Sequence, residues 1–184
     1  GWSSDVCSSD LYNTPERIKT TKCKPISDTY EPASTMKPIT LALCLKANKI
    51  LQQRNKPPLF YPKEKIATDD GRFPGRSRPL VDGRRHDFLN MYMALQKSSN
   101  VYMGKVIHKT IGALGTEWYR KELIETFGFG KRTDIELPAE SPGRVPRPGV
   151  VYPNGTLEWS KGTPYSLAIG HNIQVNSLQM LRAF

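Results

Sequence analysis

The chain has 184 residues, of which 38% are hydrophobic, and this is enough for one domain with its own core. No apolar run approaches the roughly 18 residues of a membrane-spanning helix, and no signal peptide is recognisable in the sequence. The formal net charge of +10 raises the question of an anionic partner.

The positive charge is concentrated in two groups, Arg72, Arg76, Arg78, Arg84, Arg85 and His86, and then Arg144, Arg147 and Lys161. Three interpretations are open: a solvated basic loop, a surface attracted to anionic headgroups or polymers, and a nucleic-acid-binding module. Glycine and proline alternate with the arginines, so they form no helical face, and no aromatic pattern typical of RNA-binding sheets interleaves with them. The solvated loop is therefore preferred, and we expect no nucleic acid partner.

The first residues do not resemble the rest of the chain. Residues 5–11 read Asp-Val-Cys-Ser-Ser-Asp-Leu, which resembles translated sequencing-adapter DNA. We predict that residues 1–11 are not native and exclude them from the fold assignment, as one would a tag. The alternative is an ordinary polar extension. Residues 12–184 are interpreted as one partial domain.

In chain order, residues 18–30 form a polar, extended lead-in. Residues 36–51 are apolar nearly all round, which predicts a buried helix over residues 36–53. Residues 55–85 are rich in glycine and proline and predict loops with short strands. A helix is predicted over 88–96, followed by an exit loop at 98–100.

Two further helices are predicted over 101–111 and 116–127, and five prolines predict a loop over 138–153. The pair Asn176 and Gln179 resembles a capping box, which predicts that a last helix begins there. Leu178, Leu181 and Phe184 continue it at three-residue spacing, with no stop signal. We expect from this that the chain is a fragment of a longer protein.

The most informative residues are Ser34 and Lys37, which stand three positions apart at the start of the first predicted helix. This spacing places both side chains on one helix face. A serine hydroxyl needs an adjacent base to become a nucleophile near neutral pH. Lysine can be that base only where burial or a neighbouring cation lowers its pKa. By itself the S-x-x-K pattern is weak, because chance matches are common.

A second motif, Ser98-Ser99-Asn100, strengthens this interpretation, because S-x-x-K and S-x-N occur together in penicillin-binding proteins and serine β-lactamases. Residues 30–38, Tyr-Glu-Pro-Ala-Ser-Thr-Met-Lys-Pro, resemble the YEPGSTxKP signature of class B penicillin-binding proteins, the peptidoglycan transpeptidases. Residues 95–101 resemble their LxxSSNV segment. Three later blocks, residues 127–140, 166–171 and 175–179, resemble their FGFG…TGIDLPGE, SxxIGxG and VTPLQ segments in the same order.

The resemblance implies an α/β (α+β) fold of the penicillin-binding transpeptidase and serine β-lactamase type, with helices and a partial antiparallel sheet. It implies that Ser34 is acylated by a D-alanyl-D-alanine terminus and that Lys37 takes its proton. Ser98 then relays a proton to the leaving amine, and Asn100 holds the substrate amide and helps to orient Lys37. Ser99 is expected to be structural, Glu31 to support the turn before Ser34, and the histidines to be surface or packing residues.

The chain also departs from the family pattern. Ala33 and the pair His171-Asn172 replace small or glycine residues, and no Lys-Thr/Ser-Gly motif is present. Lys161-Gly162-Thr163 has the wrong order and precedes the IGxG-like block. Because that third motif supplies part of the site, we expect these 184 residues alone to be inactive.

Other functions remain possible from the sequence. A serine β-lactamase of the same fold needs a water-activating glutamate, and Glu136, Glu140 and Glu158 do not lie in the expected E-x-x-L-N pattern. A β-lactam sensor would keep Ser34 and Lys37. Cys23 and Cys44 have no spacing typical of a disulfide or of zinc, so we expect free thiols, no metal and no cofactor. The resemblance implies stem peptides, β-lactams and cell-wall synthesis proteins as partners, at the periplasmic face of a bacterial inner membrane.

Overall fold

The structure is a computed structural model and describes residues 22–184. Helices dominate it: α1 (Lys24–Ser27), a 3-10 helix (Ala33–Met36), α2 (Lys37–Gln53), α3 (Met91–Gln96), α4 (Asn100–Leu114), α5 (Thr116–Glu125), α6 (Thr163–Ala168) and α7 (Ser177–Ala183). The strands β1 (Ile66–Ala67) and β2 (Phe88–Leu89) pair antiparallel, with Ile66 opposite Leu89. The described residues therefore have the predicted helix-rich α+β character with a small antiparallel sheet.

The core forms where α2 packs against α4, which in turn packs against α5 and α6. Helix α2 buries residues at four-residue spacing, Ile39, Leu43, Ala47 and Leu51, which is the pattern of one helix face. Helix α4 contributes Tyr102, Met103, Val106 and Ile107, all fully buried. Each such aliphatic side chain stabilises the fold by about 1.5–3 kcal/mol through burial. This core holds the first turn of α2 in a fixed position.

The prediction that α2 is buried nearly all round is only partly right. Ala42, Leu45, Lys46 and Lys49 lie on an exposed face. Lys46 Nζ forms an ion pair there with Glu122 of α5, at 2.6 Å. This face of the helix is therefore exposed apart from its contact with α5.

Several predicted boundaries were wrong. The helix predicted over 101–111 runs from Asn100 to Leu114, and the lead-in predicted as extended over 18–30 contains α1. Residues 88–96 are not one helix, since Phe88 and Leu89 form β2 and α3 begins at Met91. The Asn90 side chain caps α3 by accepting a hydrogen bond from the Met93 N–H, and because Asn90 itself is extended, the helix begins only after it. Helix α5 ends at Glu125, because the N–H groups of Thr126 and Phe127 both bond to the Glu122 carbonyl.

In the C-terminal part, helix α7 begins where the sequence predicted, but the side chains it buries differ from the predicted apolar stripe. Residues 138–153 contain neither a helix nor a named strand, as predicted, and isolated bridges join Arg144 to Gln174 and Val151 to Leu157. Asn176 and Gln179 form the predicted capping box of α7. The buried face of α7 is Gln179 and Met180, whereas Leu181 and Phe184 are exposed.

The predicted non-native segment, residues 1–11, lies outside the described residues. Cys23 is exposed and Cys44 is fully buried, and both are free thiols, as expected.

No helix within residues 22–184 combines the length and the apolar character needed to cross a bilayer.

Candidate active site

Ser34 lies in the short 3-10 helix that leads into α2, and its side chain is exposed. A 3-10 helix has three residues per turn, so side chains three positions apart lie one above the other. The N–H of Lys37 bonds to the Ser34 carbonyl, which fixes this register. The preceding residue, Ala33, has φ of 49° and donates its N–H to the Gly170 carbonyl at 3.0 Å. Ser34 is thus presented from a turn anchored to the segment after α6.

Lys37 is the first residue of α2, and its side chain is almost completely buried, with 1% exposure. Its Nζ donates hydrogen bonds to the carbonyl and to the hydroxyl of Ser98, at 2.5 and 2.9 Å. Burial lowers the pKa of Lys37, and the Asp82 carboxylate partly opposes this by attraction. The net direction is downward, which is what a lysine needs to act as a base.

Ser98 connects the two motifs. Its hydroxyl accepts from Lys37 Nζ and donates to Ser34 Oγ at 3.0 Å. The sequence predicted that Lys37 reaches Ser34 directly. Within residues 22–184 the hydrogen-bonded connection instead runs from Lys37 through Ser98 to Ser34. Ser34 and Ser98 are exposed while Lys37 is buried, so an incoming carbonyl can approach the hydroxyls but not the amine.

Asn100 lies two positions after Ser98, and the hydrogen bonds that it donates within residues 22–184 go to residues 81 and 82. It is the first residue of α4, and its side-chain amide donates to the Val81 carbonyl at 2.8 Å. Its backbone N–H donates to Asp82 Oδ1 at 2.6 Å. The roles expected for Asn100, holding a substrate amide and orienting Lys37, stay predictions.

Ser99 and Asp82 hold the second motif in place. Ser99 is fully buried and caps α4, since its hydroxyl accepts from the Tyr102 N–H at 3.0 Å. The same hydroxyl donates to Asp82 Oδ2 at 2.6 Å. Sequence reasoning expected a structural Ser99 but missed Asp82. No pattern in the loop around Asp82 marks it, because its contacts lie 17 to 19 positions along the chain.

On the other side of Ser34, Glu31 supports the turn, as its expected role requires. Its carboxylate accepts from His171 Nδ1 at 2.9 Å and from the Asn172 N–H at 2.7 Å. The hydrogen bond from His171 lowers the pKa of Glu31. The pair His171-Asn172, which departs from the family pattern, therefore ties the segment after α6 to the nucleophile turn.

Two of the three glutamates considered as hydrolytic bases are engaged in other contacts. Glu140 accepts a hydrogen bond from the Thr133 N–H at 2.6 Å, and Glu158 pairs with Arg144 at 2.7 Å. Lys161-Gly162-Thr163 leads into helix α6 and is not part of a strand. Among residues 22–184 no cluster of three or more His, Cys, Asp or Glu side chains could hold a metal ion.

Comparison with known proteins identifies the family. Residues 7–184 match the family model described as the penicillin binding protein transpeptidase domain. The chain belongs to this family. The match covers both serine motifs and the elements that bring them together.

Two curated relatives are named as peptidoglycan D,D-transpeptidases. The probable peptidoglycan D,D-transpeptidase PbpC of Pseudomonas aeruginosa is 26% identical over 162 residues, 86% of this chain and 24% of that protein. The peptidoglycan D,D-transpeptidase FtsI of Buchnera aphidicola is 29% identical over 171 residues, 90% of this chain and 25% of that protein. The chain thus spans about a quarter of the length of these relatives.

Solved structures show the same fold. The chain resembles the apo transpeptidase domain of Burkholderia pseudomallei penicillin-binding protein 3, with a TM-score of 0.61 and 23% identity. That likeness covers 87% of this chain and 41% of the other. A crystal structure titled as a peptidoglycan glycosyltransferase from Burkholderia ambifaria gives a TM-score of 0.65 over 90% of this chain and 45% of that one. The predicted penicillin-binding transpeptidase fold is confirmed.

Proposed function

We propose that the full-length protein is a peptidoglycan D,D-transpeptidase that works through a serine acyl-enzyme on Ser34 and is acylated there by penicillins. The observation that carries this proposal is the hydrogen-bonded chain from the buried Lys37 amine through Ser98 to Ser34. A nucleophile, a base of lowered pKa and a relay between them are the parts that serine acyl transfer needs.

In the first half-reaction Ser34 Oγ attacks the carbonyl carbon of the penultimate D-alanine. Its proton passes to Ser98, and the Ser98 proton passes to neutral Lys37, which requires both hydroxyl groups to rotate from the resting arrangement. The bond between carbonyl carbon and leaving nitrogen then breaks, and the proton returns through Ser98 to the departing D-alanine amine. General acid–base assistance of this kind contributes about 10²–10⁴-fold in rate.

In the second half-reaction an amine of a neighbouring stem peptide attacks the acyl carbon. The amine loses a proton to the same relay, the new peptide bond forms, and Ser34 Oγ recovers its proton as the ester bond breaks. The backbone N–H of Ser34 supplies one donor to the oxyanion in both halves. A second donor comes from a strand with the Lys-Thr/Ser-Gly motif. Asn100 holds the amide of the bound peptide.

The family also supports a proposal on location and partners. We place the catalytic domain at the periplasmic face of the bacterial inner membrane, where stem peptides are found. There it meets β-lactam antibiotics and other cell-wall synthesis proteins. The basic arginine-rich loop between β1 and β2 is a solvated surface in this proposal.

The test is mass spectrometry of the full-length protein after treatment with penicillin. We expect the adduct on the peptide that contains Ser34 and none in Ser34→Ala. Ser27→Ala is the matched control, because its hydroxyl bonds only to the adjacent Asp28 among the described residues. An adduct on another residue, or undiminished labelling of Ser34→Ala, contradicts the assignment.

The lifetime of the adduct separates the alternatives. A transpeptidase keeps the penicilloyl group for hours, whereas a β-lactamase hydrolyses it and turns over. A β-lactam sensor also keeps the adduct, but it does not join stem peptides in a cross-linking assay. Salt-dependent retention on DNA without penicillin labelling would instead favour the nucleic-acid-binding interpretation.

A further inference from the structure

In the turn that begins at Ser98, the Asp82 carboxylate accepts hydrogen bonds from three consecutive residues that follow Ser98. Its Oδ2 accepts from the Ser99 hydroxyl at 2.6 Å. Its Oδ1 accepts from the backbone N–H groups of Asn100 and Val101, at 2.6 and 3.0 Å. These N–H groups belong to the first turn of α4, where a carboxylate also interacts favourably with the helix dipole. Hydrogen bonds to an ionised acceptor are roughly twice as strong as neutral ones.

The neighbouring residue adds a fourth connection. The Val81 carbonyl accepts from the side-chain amide of Asn100 at 2.8 Å. Residues 81 and 82 therefore hold both the backbone and the side chain of Asn100, and also the hydroxyl of Ser99. The link between this loop and the turn does not involve Ser34 or Lys37 directly.

The turn needs such support because Ser98 is strained. Its φ is 52°, a left-handed conformation that is unfavourable for a residue other than glycine. Strained residues persist where the surroundings over-determine them. Ser98 is fixed on one side by Lys37 Nζ and on the other by residues 99–101, whose partners are the Asp82 oxygens. This conformation aims the Ser98 hydroxyl at Ser34.

Asp82 also acts on Lys37 through its charge. The Asp82 carboxylate raises the pKa of Lys37 against the larger lowering by burial. The hydroxyls around the amine, Ser34 and Ser98, are uncharged, and among the described residues no other charged group perturbs the pKa of Lys37. Glu31 and His171, which flank Ser34, form a hydrogen bond with each other.

We propose that Asp82 is a positioning residue for acylation, which holds Ser98 in its strained conformation through its hydrogen bonds to residues 99–101. This inference rests on the proposed function of Ser34. In this proposal a loop outside the two serine motifs sets the geometry of the relay from Lys37 through Ser98 to Ser34.

The experiment measures the rate of acylation by a fluorescent penicillin against pH, in the full-length protein. Lys37 must be neutral to accept a proton, so the rate rises with pH through its pKa to a plateau. Asp82→Asn removes the charge that raises the pKa of Lys37, so the rising limb of its curve of rate against pH should move to lower pH. Its plateau should fall at least tenfold, since the amide cannot accept from Ser99 and both N–H groups as the carboxylate does.

Two variants separate charge from geometry. Ser99→Ala removes one of the three hydrogen bonds to Asp82, and also the cap of α4, but keeps the charge, so its rising limb should stay at the wild-type pH. Asp82→Glu keeps the charge on a longer side chain, so its plateau should fall without a shift of the limb. If Asp82→Asn does not fold, Asp82→Glu still tests the positioning role through the plateau.

The inference is overturned if Asp82→Asn folds and keeps a plateau within twofold of the wild-type plateau, whether or not its rising limb moves. It is also overturned if Asp82→Glu keeps the wild-type plateau. A wild-type protein that is not labelled at all contradicts the proposed function instead, so the two failures are distinguishable.

Discussion

At the scale of single residues, the candidate site depends on backbone conformations that its residues adopt only under constraint. Ala33 and Ser98 both have positive φ, at 49° and 52°. Ala33 directly precedes Ser34, and Ser98 carries the second hydroxyl of the relay. Lys37 is buried with its amine bonded to one residue, Ser98. Each feature is locally unfavourable, and each places a functional atom where acyl transfer needs it.

Lys37→Arg tests the role of the base. Arginine stays protonated at any accessible pH, and its larger head must fit where Lys37 is 1% exposed. We expect acylation by penicillin to fall at least a hundredfold, the lower end of general-base contributions. Lys49→Arg, on the exposed face of the same helix, is the control and should label like wild type. A Lys37→Arg rate within tenfold of wild type, about 1.4 kcal/mol of barrier, would exclude Lys37 as the base.

Ala33→Gly tests the strain before the nucleophile. Relief of the left-handed conformation should add roughly 1–2 kcal/mol to the free energy of unfolding. The greater freedom of glycine in the unfolded chain should subtract about 0.4–1 kcal/mol from it. We expect the free energy of unfolding to rise by about 0.5–1 kcal/mol. The control is Ala42→Gly, at an exposed position inside α2, which should lower it by about 1 kcal/mol. Thermal unfolding measures both, and a destabilised Ala33→Gly would contradict the strain.

At the scale of elements, the nucleophile turn is docked on the segment that follows α6. The Ala33 N–H bonds to the Gly170 carbonyl, and Tyr30 and Val175 form a two-bond bridge on the same side. Glu31 adds its contacts with His171 and Asn172. The position of Ser34 is therefore set by two chain segments about 140 residues apart, as the contacts of Glu31 illustrate.

Gly170→Ala tests this docking. Gly170 has φ of 79°, and a Cβ there would lie 2.1 Å from the Ala33 carbonyl oxygen. We expect about 1–2 kcal/mol of loss from the conformation and about 1–3 kcal/mol more from the clash. Penicillin labelling should fall as well, because relief of the clash moves Ala33 and with it Ser34.

The matched control is Gly128→Ala, with φ of 75° and no atom within 4 Å of the added Cβ. It should show the conformational loss alone and label at the wild-type rate. Differential scanning calorimetry gives the stabilities of both variants. Equal losses of stability and labelling in the two would show that the Ala33–Gly170 contact does not position the nucleophile.

At the scale of the whole molecule, the described residues bring together the first two serine motifs, and the 184 residues contain no Lys-Thr/Ser-Gly sequence. In the proposed mechanism that motif brings a strand with the second oxyanion donor. The described sheet has only two short strands, and Leu181 and Phe184 of the last helical segment are exposed.

We therefore predict that the 184-residue chain by itself is labelled slowly by fluorescent penicillin. Loss of one oxyanion donor typically costs about 10²–10³-fold in rate. The comparison is with a version of the protein that extends through a Lys-Thr/Ser-Gly motif, at equal concentration of folded protein. If the short chain is labelled as fast as the extended one, the third motif is not needed for acylation.

The sequence alone determined the features that depend on local order. Ser34 and Lys37 stand one turn apart, α2 has a buried face at four-residue spacing, and Asn176 with Gln179 marks the start of α7. Periodicity, capping and motif spacing act over a few residues, so they can be read from the chain. The family also followed from such short motifs in their order.

Only the tertiary structure decided how the motifs meet. The relay runs through Ser98, the support comes from Asp82, and Asn100 turns its amide to Val81, none of which follows from spacing. Phe88 and Leu89 form a strand because they pair with Ile66 and Ala67, which overrides their helical neighbours. Contacts between distant segments depend on how the core packs α2 against α4, and this packing is a property of the whole fold that no local pattern encodes.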